Sequence, residues 1–150
     1  MTDQMMREFA AALPVPEFET TAWAPAPELS RATVAVVTSA ALHRPDDEPF
    51  SARGDAGYRL LDREDRNLVL GHWSSNFDRS AFLLDLNVVY PVDRLEELAA
   101  DGVIGEVAPR HVAFAGNQPD TVSEVRMDTG PAAAADLRAD GVDVAILTPV

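Results

Sequence analysis

Three histidines, a few arginines beside apolar runs and one serine-rich loop are the parts of this 150-residue chain whose types and spacing could do chemistry. His43 and Arg44 close an apolar run, and a guanidinium beside an imidazole at a strand end can hold a carboxylate or another anion. A loop histidine hydrogen-bonded to backbone accounts for His43 equally well. Arg110 and His111 stand together at the start of PRHVAF, where a packed, satisfied imidazole is the alternative. His72 lies in GHWSSNFDR beside Ser74, Ser75, Asn76 and Asp78, nominally a Ser-His-Asp set, but no GxSxG elbow is present to expose a serine nucleophile. His43 with Asp46, Asp47 and Glu48 offers donors to a hard cation, yet an acidic loop is ordinarily just solvated, so no metal site is assigned. GxGxxG and GxxxxGK[ST] are both absent, so a phosphate-cradling loop has no support and no cofactor is assigned. With no cysteine in the chain, disulfides, thiolate metal ligands and a cysteine nucleophile are excluded within it.

The elements that must position these groups can be read from pattern. Ala32 to Ser39, ATVAVVTS, is β-branched and too continuous for a half-exposed strand, so it reads as buried on both faces. Val142 to Leu147 reads as a second buried strand. Each of two helices precedes such a joint. Pro91 suits a first helical position, Val92, Leu95, Leu98 and Ala99 share a face, and Gly102 closes the helix; Pro131 and Gly141 play the same parts later. Helix then buried strand, twice, predicts an α/β fold with a doubly wound, mostly parallel sheet, Rossmann-like or flavodoxin-like. Ligands of such sheets bind beyond the carboxyl ends of the strands, here Thr38 to Pro45 and Thr148-Pro149-Val150, which adds Thr148 to the candidates. No helix follows the second strand, so the expectation is a sheet incomplete at its C-terminus, exposing apolar surface, in a truncated chain or one with an obligate partner.

Residues 1–29 form a separate N-terminal piece, and residues 30–150 the α/β domain. Thr2 can cap a helix with Met5, Met6, Phe9 and Leu13 on one face, stopped by Pro14 and Pro16. Residues 14–28 read as a proline-rich strap anchored by Phe18 and Trp23. His43 to Arg66 reads as a long polar loop, and Asn67 to Trp73 as a short strand.

The formal charge of −13, from 25 acids against 12 Lys plus Arg, repels phosphate backbones and anionic lipid, which argues against nucleic-acid and membrane partners. No apolar run approaches the ~20 residues of a membrane span and no basic-then-apolar leader is visible. A cytoplasmic location fits.

Four stretches in order, VAVVTSAALHRP, GHWSSNFDR, LNVVYPVDRLEELAADGVIGEVAPRHVAFAG and LRADGVDVAILTPV, resemble selenoprotein B of the glycine/sarcosine/betaine reductases and its D-proline reductase relative. The resemblance covers residues 30 to 150, and NVVYPVDRLEELAADGVIG is its most specific part. It implies reductive cleavage of a carbon–nitrogen bond in a small amino-acid-like substrate, with a dithiol/disulfide couple. The nucleophile it implies is a selenocysteine or cysteine just after the position of Val150, so no catalytic residue lies within the chain, and the chain alone is expected to be inactive. Other reductase subunits or a thiol reductant system are the implied partners, and a homo-oligomer is possible. His43, Arg44, His72, Asn76, Asp78, Arg110 and His111 are then candidates to line the substrate pocket, with an arginine holding a carboxylate and a histidine moving a proton. Where the family carries further histidines this chain has Ser74, Ser75 and Asn76, so the resemblance assigns His72 no catalytic role. The alternative is a non-catalytic α/β domain that binds a small molecule or another subunit.

Overall fold

The computed structural model describes residues 2–12, 19–52, 54–73, 79–116, 118 and 123–150. Its helices are α1 (Asp3–Ala11), α2 (Ser80–Leu84), α3 (Val92–Ala100) and α4 (Gly130–Ala139). Its strands are β1 (Thr33–Thr38), β2 (Leu42–His43), β3 (Tyr58–Asp62), β4 (Val69–Leu70), β5 (Glu106–Val107), β6 (Arg110–Phe114) and β7 (Val144–Thr148). The proposed stops Pro14 and Pro16, the face residue Leu13 and the anchor Phe18 lie outside the described residues.

β1 is the centre because its side chains are apolar or small on both faces, and only Val37 among them is not fully buried. Val34 pairs with Val107 and with Val144, and Val37 with Val112 and with Leu147. β5 and β6 therefore share one side of β1 and β7 takes the other, all parallel. β3 adds antiparallel to the far side of β6, from Tyr58 opposite Phe114 to Asp62 opposite Arg110. The order is β3, β6 with β5, β1, β7: an α/β fold on a mixed sheet, where the sequence pattern led to a mostly parallel one.

Alternation along the strands divides the core. Val34, Val36, Leu61 and Ala113 pack with Val89, Tyr90, Val92, Leu95 and Ile104 around α3. Ala35 and Val112, with Val37, Leu60 and Phe114 beside them, face Ala133 and Leu137 of α4. Helices thus cover both faces. Gly102 and Gly141, at φ 71° and 76°, end α3 and α4 in the left-handed conformation that glycine adopts without a Cβ penalty. Two polar contacts fix α4: Tyr58 Oη donates to Asp136 at 2.6 Å and Arg110 forks onto Asp140.

Three expectations need correction. The polar stretch 43–66 contains β3, whose YRLLD was masked by charged flanks; only pairing to β6 makes it a strand. Trp23 is 86% exposed, so it is no buried anchor among the described residues. β7 is not a buried strand but an edge: Val144 reaches the core, while Leu147 is 71% exposed. Its run of apolar residues reads as interior, yet α4 lies back over β1 and β6 and leaves its outer surface open.

Candidate functional site

The carboxyl ends of β1, β6 and β7 converge. β1 runs into Ser39, β6 into Ala115-Gly116, and β7 into Pro149-Val150. Ser39 N donates to Thr148 O at 3.2 Å, continuing the β1–β7 ladder one step. Val150 N then donates to Ser39 Oγ at 2.8 Å, and Thr148 Oγ1 donates across the sheet to Val89 O at 3.1 Å. A shallow apolar hollow of about 180 Å³ opens beside these ends between Val37, Phe114, Leu147 and Pro149.

The loop that follows β1 brings His72 here. Thr38 Oγ1 accepts from Ala40 N at 3.2 Å and starts the turn. Ala41 then takes φ 54°, the positive-φ non-glycine among the described residues, a costly conformation that tends to mark functional segments. Its N–H reaches Phe114 O, and its carbonyl accepts from Gly71 N at 3.0 Å and from His43 Nδ1 at 3.1 Å. Those bonds tether the β4 exit to the end of β1. His72 is thereby buried at 5% exposure with Nε2 3.3 Å from Val150 O. Gly116 makes the approach possible, since a Cβ there would stand 2.8 Å from His72 Nε2 and 3.2 Å from Val150 O.

The other candidates are placed as follows. His43 is buried, edge-on to Phe50 at 5.9 Å, one hydrogen bond behind the strand tips. Because its Nδ1 faces a carbonyl, Nδ1 carries the proton. Arg44 donates to Leu60 O and pairs with Asp62 and Asp65, each at 2.8 Å. Arg110 grips Asp140 at 2.7 and 2.9 Å, at the amino end of β6 and so at the opposite end of the sheet. His111 has no exposed surface. Between Thr33 and Val37 β1 advances four residues while its neighbour advances six, from Glu106 to Val112. At that slip Val36 N donates to His111 Nδ1 at 3.1 Å, so the imidazole replaces a missing carbonyl. Burial, with smaller contributions from Arg66 and Arg63, lowers the His111 pKa from 6.5 to about 4, and burial raises the phenol of Tyr90, packed against it at 5.4 Å. Asn76 and Asp78 lie outside the described residues.

The structure thus gathers His72, Thr148 and, one bond away, His43, and sets Arg44, Arg110 and His111 in structural contacts. Ser39, Ala41 and Gly116 escaped the sequence reading as individual residues. A glycine just past a short strand signals close backbone approach, which could have singled out Gly116; nothing about an alanine announces a positive φ. Among the described residues no three His, Cys, Asp or Glu side chains are grouped to hold a metal, and no helix is long and apolar enough to cross a membrane.

A family model described as glycine/sarcosine/betaine reductase selenoprotein B matches residues 3–150, so the likeness extends into the N-terminal segment. The chain is 33% identical over 129 residues to D-proline reductase subunit gamma of Acetoanaerobium sticklandii, covering 84% of this chain and 52% of that protein. It is also 33% identical over 150 residues to glycine reductase complex component B subunit gamma of Carboxydothermus hydrogenoformans, covering 93% of this chain and 33% of that one. The chain therefore spans about half the length of the first relative and a third of the second. No solved structure matches it.

Proposed function

The chain belongs to the glycine/sarcosine/betaine reductase selenoprotein B family, and from that premise we propose that it builds one wall of the substrate site of a reductase cleaving the C–N bond of a glycine-, sarcosine-, betaine- or D-proline-type substrate. The observation that carries this reading is the meeting of three parallel strand ends under His72. β6 and β7 flank β1, and α3 and α4 lie on opposite faces, an arrangement that reads as the opening of a doubly wound sheet. The order of strand addition switches sides of β1 between β6 and β7, and ligands of such sheets sit outside the carboxyl ends at that switch.

In this reading the apolar hollow takes the carbon skeleton or N-methyl groups, and His72 supplies or takes the proton that C–N cleavage requires. Thr148 shapes the rim, and His43 sets the loop that carries His72. Asn76 and Asp78, close to His72 in sequence, are kept as candidates to bind the substrate. Cleavage also needs two electrons, and a chain without cysteine has no thiol to give them. They come from a selenocysteine or cysteine elsewhere in the reductase and a thiol system in the cytoplasm, so this chain alone binds substrate without reducing it.

The test is a titration of the isotope-labelled chain with glycine, sarcosine, betaine and D-proline. Shifts confined to His72, Ser39, Gly116 and Val150, and lost in His72→Ala, support the site; silence there toward all four substrates rejects it. Release of amine or ammonia by the chain with dithiothreitol alone contradicts the division of labour.

The open β7 edge favours a second role beside the first. Both relatives are named as subunits, and an exposed strand edge with Leu147 uncovered is a ready template for another polypeptide. We read that edge as the face toward the rest of the reductase.

A further inference from the structure

Edge-strand tips ordinarily fray, because one side has no ladder and few apolar contacts hold them. The tip of β7 departs from that expectation. Thr148, Pro149 and Val150 are held by four hydrogen bonds from three separate segments while the strand beneath them stays largely exposed. Ser39 N bonds Thr148 O, Thr148 Oγ1 bonds Val89 O, Ser39 Oγ accepts from Val150 N, and His72 Nε2 meets Val150 O. Pro149 removes one backbone torsion and one donor from the exposed edge. Packing of the core does not require any of this, since Thr148 and Val150 lie at the margin of the apolar cluster.

Ser39 and Gly116 contribute to this arrangement in different ways. The Ser39 hydroxyl stands where the next backbone acceptor of β1 would be, because the chain has already turned away at Ala40. It accepts from Val150 N at 2.8 Å and lies 3.5 Å from Val150 O, so one side chain continues the ladder beyond the strand. Gly116 contributes by what it lacks. Its virtual Cβ stands nearest the movable end of an imidazole, His72 Nε2 at 2.8 Å, and then two backbone oxygens, Ser39 O at 3.0 Å and Val150 O at 3.2 Å. An alanine there displaces His72 most, while the two carbonyls must each give by a few tenths of an ångström.

We propose that Ser39 and Gly116 are the positioning residues of this site: Ser39 fixes the backbone of Val150, and Gly116 leaves the space that lets His72 close over it. The purpose of the device rests on the substrate-site reading above; its geometry does not. It delivers a strand tip and an imidazole in fixed relation, so that a substrate at the strand ends meets its proton carrier without a search through conformations.

The experiment reads the device without catalysis. Amide exchange at Val150 and carbethoxylation of the three histidines by diethyl pyrocarbonate are followed in the full chain and in Ser39→Ala, Ser39→Thr and Gly116→Ala. In Ser39→Ala, Val150 exchange rises about tenfold or more, as expected for loss of its hydrogen bond, while β1 and β6 amides keep their protection. Ser39→Thr retains the hydroxyl and restores slow exchange. In Gly116→Ala, His72 is modified several-fold faster, with buried His43 and His111 as internal references in a variant that remains folded at the assay temperature. The proposal is overturned if Ser39→Ala leaves Val150 exchange as in the parent, if Ser39→Thr fails to restore it, or if Gly116→Ala speeds all three histidines alike, which would mean general loosening. These outcomes are independent of ligand shifts, so a parent chain that binds no substrate yet shows the selective changes rejects the substrate reading and keeps the positioning one.

Discussion

His111 should make the fold acid-sensitive in a window that a single substitution removes. Its Nδ1 already accepts from Val36 N, so the neutral ring carries its proton on Nε2, which is buried without a partner. A second proton would have to sit on Nδ1, facing another N–H at the slip between β1 and β6. The unfolded imidazole titrates near 6.5 and the folded one at about 4. Between those values the unfolded chain binds more protons than the folded one, so stability rises with pH. The contribution is complete above about 6.5 and is lost as pH falls toward 4. At about 1.4 kcal/mol per pH unit, that interval corresponds to about 3 kcal/mol, a large share of the ~5–15 kcal/mol that holds a domain together.

Urea denaturation from pH 4 to 8 measures it, with His111→Asn as the comparison. Asn Oδ1 can take the Val36 N–H but does not titrate. The variant loses ring packing against Tyr90 and is less stable at pH 7.5, yet its stability should fall far less between pH 6.5 and 4 than that of the parent. Because His43 and His72 are present in both proteins, the difference between the two slopes isolates His111. Equal slopes, or an NMR titration of His111 near 6.5, would refute the reasoning.

Other substitutions test the frame around the site. Gly105→Ala should destabilise by about 2–3 kcal/mol in thermal or urea unfolding, since its Cβ would meet Arg31 C at 2.6 Å and Ala32 N at 2.9 Å, both backbone. Gly102→Ala should cost only about 1 kcal/mol, because space is open there and only the positive φ is penalised. Arg110→Lys replaces a forked contact to Asp140 by a single one and should lose roughly 1 kcal/mol in the same assays. Leu147→Lys should move the unfolding midpoint little, as the side chain is 71% exposed, but should weaken capture of partner reductase subunits in a pull-down; equal capture argues against β7 as the contact face.

The legible parts of this molecule were those where one local rule decides. ATVAVVTS has no polar face, so β1 had to be central, and glycines placed after amphipathic runs marked the ends of α3 and α4. The parts that stayed hidden depend on partners distant in sequence. YRLLD becomes β3 only opposite residues 110–114, and VAILT is an edge because of where α4 settles, which no periodicity encodes. The site divides the same way. Strand ends could be named in advance, and so could histidines, but the pairing of His72 with Val150 needs Ala41 in a left-handed turn 31 residues earlier, tying Gly71 back to β1.

The arginines carry the same lesson further. From sequence, Arg44 beside His43 is a natural carboxylate clamp; in the fold its guanidinium lies between Asp62 and Asp65 and braces β3 to the loop after β2. If that arrangement held a clamp in reserve, replacing both acids with Asp62→Asn and Asp65→Asn would free it, and glycine or betaine would bind more tightly. The brace reading expects the reverse: roughly 1 kcal/mol less stability, a modest figure because Asp62 is 58% exposed, and no gain in affinity. Arg63, Arg66, Arg94 and Arg110 are likewise paired with carboxylates. These arginines therefore do not clamp a substrate carboxylate; Arg79, which donates to His72 O, lies nearer the site, and binding to this chain alone should be weak and dominated by the apolar hollow, with N-methylated substrates preferred over glycine in the titration.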